Sequence, residues 1–261
     1  MSTPSLFEEF AEPSPKIKPV PDKMARIREK MLEIHARLCA EYECPIAYFH
    51  ALDPMDELIS SLLSHRTKNA DSSRAWKQLQ AKFSNWQDAL DAPVSQIEEA
   101  IAPATWPEQK APRVQAVLRE VQAKTGGFSL DFLAQMSVVE ARAWLETLPG
   151  VGPKTSAATL SFSSLRMRAL PVDSHHHRVA GRLGLIAASL SVGPSHAVLE
   201  AMLPADWNAQ QVYDNHEILM LHGQRVCHHH SPKCEKCVLL DLCPTGQKLT
   251  ANITGEKSDG T

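Results

Sequence analysis

Leu145-Glu-Thr-Leu-Pro-Gly-Val-Gly-Pro-Lys-Thr-Ser-Ala-Ala-Thr-Leu160, LETLPGVGPKTSAATL, decides how the rest of the chain is read. Gly150 and Gly152 bracket a single valine after Leu-Pro, the pattern of a tight hairpin between two helices. Glycines stand there because the backbone must take φ > 0 or come close to another group. The exposed N–H groups of such a turn, with the helix N-terminus that follows, form an anion site suited to a phosphate. Lys154 sits at that helix start, where the positive end of the helix dipole disfavours a further cation. An ordinary lysine has a pKa of about 10.4 and almost no neutral form at pH 7. A helix N-terminus and partial burial both lower that value, towards an amine that can act as a nucleophile.

Outward from this stretch the chain is helical. Asp53-Pro54 reads as N-cap and first helical residue ahead of Leu58, Ile59, Leu62 and Leu63 on one face. Ala75, Trp76, Leu79 and Phe83 repeat the pattern, as do Val114, Val117, Leu118 and Val121 before Gly126-Gly127. Ser137 to Glu140 is a capping box ahead of Trp144, Leu145 and Leu148. Leu199, Met202 and Leu203, then Val212, His216 and Leu219, suggest two further helices. No alternating β-branched run argues for a sheet, so the expectation is an all-α fold of about ten helices.

The 261 residues suffice for one large or two modest domains, and no apolar run is long enough for a membrane span. Residues 1–23 are rich in Pro and Glu without an apolar stretch; they are expected to be a flexible tail, neither a secretory signal nor a transit peptide. The end of the chain, TANITGEKSDGT, is expected to be another. The formal net charge is −3, yet between Pro153 and Ile186 Lys154, Arg166, Arg168, Arg178 and Arg182 face only Asp173. Such a basic half can make a phosphate-binding face or be solvated surface.

Asp173 heads another segment, LPVDSHHHRVAGRLG, with Ser174 behind it. As an isolated Asp-Ser it is an N-cap. As a catalytic carboxylate it could take a proton from the lysine or stabilise an oxocarbenium-like sugar. Of six cysteines, Cys39 and Cys44 read most simply as core residues. Cys227, Cys234, Cys237 and Cys243 lie in CHHHSPKCEKCVLLDLC. Disulfides there are disfavoured for a cytosolic chain. Zinc usually joins two tight Cys or His pairs, and only one exists here, so a [4Fe–4S] cluster is favoured over zinc.

Leu-Pro-Gly-Val-Gly-x-Lys-Thr, Val-Asp-Ser-His and Cys-x6-Cys-x2-Cys-x5-Cys in this order resemble the endonuclease III family over roughly Met24 to Pro244. These are helix–hairpin–helix DNA glycosylases with a [4Fe–4S] cluster. The resemblance implies a six-helix barrel domain, 56–168, and a cluster domain built from 24–55 and 169–245, with DNA in the cleft between them and a tail from 246. It implies that Lys154 attacks C1′ of an oxidised pyrimidine nucleotide and Asp173 is the essential carboxylate. The strand is then cut by β-elimination. The [4Fe–4S] cluster on Cys227, Cys234, Cys237 and Cys243 is structural and presents Lys233 to phosphates. Gly150, Gly152 and Ser174, which replaces the usual threonine, fall on the DNA face.

Two positions depart from the family. Arg66 stands where a glutamine fills the gap left by an extruded base, and Trp106 where a leucine intercalates. The bland alternative makes Trp106 a core residue and Arg66 a phosphate contact. The expected partner is double-stranded DNA with a damaged base or abasic site, met by a monomer in the bacterial cytoplasm at the nucleoid. A monofunctional adenine glycosylase is disfavoured by Lys154 and by the lack of a recognition domain after Pro244. A scanning protein without chemistry is disfavoured by the intact Lys154 and Asp173.

Overall fold

The computed structural model describes residues 22–255, and among them every regular element is a helix. The tail expected at 1–23 lies almost wholly outside the described residues. α1 is Asp22–Tyr42, α2 Pro54–Ser64, α3 Asn69–Lys82, α4 Trp86–Asp91, α5 Val94–Ala100 and α6 Pro107–Thr125. α7 is Val138–Leu145, α8 Pro153–Phe162, α9 Ser174–Leu183, α10 Val192–Glu200, α11 Ala209–Arg225 and α12 Pro244–Gly255. Short 3-10 turns cover Asp131–Gln135, Cys234–Lys236 and Leu240–Leu242.

The local signals act as their chemistry requires. Asp53 accepts from the Asp56 N–H with Pro54 at the first helical position, and Ser137 and Glu140 close a reciprocal capping box. Gly126 ends α6 at φ +74°. Met202 and Leu203 lie beyond the end of α10 at Glu200, in the turn that follows it. They are buried there all the same.

Apolar side chains gather in two main clusters. One runs from Met55 to Ala169 and is built from α2 to α8. The second joins Met31, Ile34 and Leu38 of α1 to residues between Leu170 and Leu239. A small third cluster of Ala158, Phe162 and Tyr213, with Ile46 and Tyr48 against it, lies where α8 meets α11. α9 and α11 pack closely, because a side chain at Gly223 would come within 2.8 Å of His175 Cβ.

Two sequence expectations are corrected. Cys39 and Cys44 are not separate core residues but a disulfide. α1 ends at Tyr42 and the chain reverses through Glu43 at φ +62°, which sets the Cys44 N–H on the Cys39 carbonyl at 3.0 Å. The tail expected from 246 begins as α12, which packs on α9 and on the 3-10 turns Cys234–Lys236 and Leu240–Leu242. Residues 256–261 lie outside the described part.

Candidate functional site

The hairpin between α7 and α8 has the backbone its sequence demands. Gly150 takes φ +74°, and a Cβ there would also strike the Arg113 side chain at 2.5 Å. Gly152 caps α8 in an extended conformation with open space around it, so its backbone faces outward. Lys154 is the second residue of α8 and is half-buried. Burial pushes its pKa down, while the carboxylates of Asp173 and Glu57 push back and leave it below the usual lysine value.

Asp173 caps α9 and lies close enough to Lys154 for their charges to couple. Its Oδ1 accepts from the His176 N–H at 2.7 Å, closing the first turn of α9, with Ser174 next in that turn. Burial works to raise its pKa. His216 and the His176 N–H outweigh burial and hold the carboxyl below its ordinary range. The cap uses Oδ1 alone, so capping α9 does not occupy the other carboxylate oxygen.

Two histidines clamp the segment that delivers Asp173. His216 Nδ1 donates to the Pro171 carbonyl at 2.8 Å. His196 uses Nδ1 on the Val192 and Gly193 carbonyls, 3.0 and 3.1 Å, and its Nε2 accepts from the Val172 N–H at 3.0 Å. A carbonyl can only accept, so both rings carry their proton on Nδ1. Burial pushes the pKa of each down, which suits a neutral His196, while the charge of Asp173 pushes His216 back up. The sequence carries no signal for His196, and His216 reads there only as one member of a helical stripe.

Arg66 and Trp106 are brought together. The guanidinium lies 5.7 Å from the centroid of the indole. Trp106 is 45% exposed and therefore no core residue. Both residues have positive φ, 50° and 56°, conformations that cost bulky residues energy and that surrounding contacts must hold. Lys110 supplies those contacts. Its buried ammonium donates to the Leu63 and His65 carbonyls at 2.6 and 2.8 Å and to Thr67 Oγ1 at 2.7 Å. Thr67 Oγ1 in turn accepts from the Thr105 N–H at 3.1 Å, so one lysine ties the Arg66 loop to the Trp106 turn. His65 reaches back to Thr155 Oγ1 at 2.9 Å, beside Lys154.

The four remaining cysteines line a common cavity with Arg182 and His222. Arg182 Nη1 donates to Cys227 Sγ and the Gly246 N–H to Cys243 Sγ, both at 3.2 Å, and His222 Nε2 lies 3.3 Å from Cys237 Sγ. Burial pushes the Cys237 thiol up to about 11 and raises that of Cys234. The protein by itself thus favours the thiol form of Cys234 and Cys237, and a metal group held there would have to displace those protons. Among the described residues no three His, Cys, Asp or Glu side chains converge tightly enough for a single metal ion. Lys233 stands on the rim, its Nζ 3.4 Å from the Arg225 carbonyl, with Cys234 next in sequence.

Comparison with known proteins places this arrangement. The HhH-GPD superfamily of base excision DNA repair proteins matches residues 59–202. Endonuclease III of Thermotoga maritima is 31% identical over 192 residues, 73% of this chain and 83% of that protein. The Escherichia coli K12 enzyme is 28% identical over 222 residues, 85% of this chain and 98% of that protein. A candidate DNA glycosylase of Arabidopsis thaliana is 31% identical over 173 residues; the match spans 66% of this chain and 57% of that longer protein. Among solved structures, endonuclease III trapped as a covalent intermediate with DNA superposes with a TM-score of 0.72 at 26% identity, covering 87% of this chain and 98% of that one. A thermostable thymine-DNA glycosylase shares the fold at a TM-score of 0.70 and 23% identity, over 84% of this chain and 98% of that one. The chain is a member of the HhH-GPD superfamily of base excision DNA repair proteins, an all-helical DNA glycosylase related to endonuclease III.

Proposed function

We propose that this chain is a bifunctional glycosylase and abasic-site lyase that removes oxidised pyrimidines from double-stranded DNA. The observation that carries the reading is Lys154, half-buried at a helix start with its pKa lowered by burial, beside Asp173. The neutral amine attacks C1′ and the C1′–N bond breaks, the electron pair leaving with the base. Loss of protons from nitrogen and opening of the sugar give a Schiff base, and removal of a C2′ proton expels the 3′ phosphate. Asp173, held anionic, stabilises positive charge developing on the sugar. Its low pKa makes it a better electrostatic partner than proton acceptor.

DNA lies between the two core clusters, read as barrel domain 56–168 and cluster domain 24–55 with 169–245. The N–H groups around Gly150 and Gly152 and the Ser174 turn meet phosphate, as does Lys233. Trp106 enters the gap left by the extruded nucleotide and Arg66 meets the orphaned base, most favourably guanine, whose O6 and N7 match a guanidinium fork. Cys227, Cys234, Cys237 and Cys243 hold a [4Fe–4S] cluster. Four thiols around one cavity, with only one Cys-x-x-Cys pair among them, support it over zinc. The cluster supplies a cross-link that fixes the segment carrying Lys233.

No helix of the described residues is long and apolar enough to cross a membrane. The proposed setting is a monomer acting on the nucleoid in the bacterial cytoplasm. The deciding experiment is incision of a duplex with one abasic site. The proposal expects nicking by β-elimination, whereas a monofunctional glycosylase or a scanning protein leaves the strand intact.

A further inference from the structure

Phe49 is 61% exposed, yet its loop is not loosely held. Tyr48 stacks on Tyr213 of α11 with centroids 4.0 Å apart, and the Arg166 guanidinium sits 3.5 Å from the Tyr48 ring. Arg166 also donates to the carbonyls of His50 and Phe162, each at 2.6 Å. The Ile46 N–H donates to Asp214 Oδ1 at 2.9 Å. A pinned loop thus presents a bare aromatic face, which water disfavours and which apolar packing nearby could have covered.

Two rows of side chains lead from Phe49 to the catalytic pair. On one side Phe49 meets Phe162 edge-on at 5.6 Å, and Phe162 meets His216, the neighbour of Asp173, at 5.3 Å. On the other side Phe49 meets His50 at 4.1 Å, and His50 Nε2 lies 3.1 Å from Glu57 Oε2. Glu57, on α2, is 3% exposed and close enough to Lys154 for their charges to couple. Its Oε1 accepts from Ser61 Oγ at 2.8 Å. Its Oε2 and His50 Nδ1 are buried without a well-aligned hydrogen-bond partner. A buried His50 Nδ1 without a partner, and a buried Glu57 oxygen met only by His50 Nε2, carry a cost that a protein keeps only for a reason.

We propose that Phe49, His50 and Glu57 are the receptor for the extruded base: Phe49 stacks on a planar ring, and the Glu57–His50 pair hydrogen-bonds its polar edge. Extruded bases are read by just these two kinds of contact. Burial pushes Glu57 up to about 8 against Lys154 and Arg166, so near neutrality its carboxyl can donate as well as accept. Burial also keeps His50 below its usual value, with the Arg166 charge in the same direction. A flat base such as 5-hydroxyuracil stacks fully on Phe49, whereas a saturated, puckered base such as dihydrothymine does not.

This inference rests on the Lys154 reading, and its test separates the two. Single-turnover base release is measured on duplexes carrying 5-hydroxyuracil, uracil, dihydrothymine, hypoxanthine or 8-oxoguanine, with nicking of a pre-formed abasic site in parallel. Phe49→Ala is expected to slow release of the planar base about ten-fold more than it slows abasic nicking, in line with the value of base–aromatic stacking. It should also shrink the planar-over-puckered preference, and Phe49→Tyr should restore both. Glu57→Gln should lower release of the planar base relative to nicking; should it melt well below wild type, the exposed Phe49 variants decide alone. Equal effects of Phe49→Ala on release and nicking, or none, would overturn the receptor. So would a wild type that nicks abasic DNA but releases no base of the panel, leaving the lyase reading intact. A wild type that does neither overturns the proposed function itself.

Discussion

Replacing Lys110 with methionine removes an ammonium from a buried site and leaves its volume nearly unchanged. The side chain is 6% exposed and makes three hydrogen bonds, to Leu63 O, His65 O and Thr67 Oγ1. A hydrogen bond to a charged group contributes about 1.5–3 kcal/mol, and the two carbonyls would be stranded in a thioether environment. Against this stands the desolvation of the ammonium, which pushes its pKa down to about 8, with the charges of Arg113 and Lys154 adding to the shift. The balance is a loss of about 3–5 kcal/mol, the range for breaking a buried charged network. For a chain of this size that is a fall in Tm of about 10 °C. The loss is local as well, because Lys110 holds the two positive-φ residues Arg66 and Trp106 in place. Release of an intact damaged base should therefore fall far more than nicking of an abasic site, which extrudes more cheaply. Thermal melting and the two rates, measured on Lys110→Met at pH 7, check both halves. A loss below about 1 kcal/mol, or equal effects on the two activities, would refute the role given to Lys110.

Trp106→Ala should likewise slow base release more than abasic nicking without a marked loss of Tm, because the indole is 45% exposed; stability assays and paired rates check this. Arg66→Ala should flatten any preference for the base opposite the lesion, measured by excision rates against all four opposing bases. Stability should be greatest near neutral pH. Burial pushes down His35, His50, His65, His176, His196, His216 and His222. Below pH 6.5 the unfolded chain therefore binds more protons than the folded one, and stability falls on acidification. Burial pushes Glu57 up to about 8 and Glu217 up to about 7, so the folded state holds their protons longer and their contribution is lost as pH rises through 7 to 8, where Lys110, pushed down to about 8, works the other way. Urea midpoints across that range should show both limbs, and Glu57→Gln should flatten the alkaline one.

Much of this was legible because it is local. Caps at Asp53, Ser137 and Gly126 and the apolar stripes of α2, α3 and α6 need only neighbours in sequence. The hairpin glycines and the residues that follow Asp173 are local too. What escaped depends on distant packing. Lys110 looks like a surface cation on a polar helix until the 63–67 loop closes over it. Glu57 looks solvated until its helix packs on α8, and His196 gains its role only when α10 meets the segment before Asp173. Cys39 and Cys44 pair because the chain reverses at Glu43, a turn without glycine and hence without a clear signal. α12, with Gly246, Thr250 and Asn252 along it, has no strong apolar stripe; its place comes from contact with α9 and the 3-10 turns on either side of Val238.

The central claim is that Lys154 is the nucleophile. Borohydride reduction during reaction with abasic DNA, followed by proteolysis and mass spectrometry of the cross-linked peptide, tests it directly. The account predicts a DNA adduct on Lys154 and none in Lys154→Ala, which should also lose strand nicking while DNA binding stays within about three-fold, since few phosphate contacts are lost. An adduct on another residue such as Lys110, or undiminished nicking by Lys154→Ala, would contradict it.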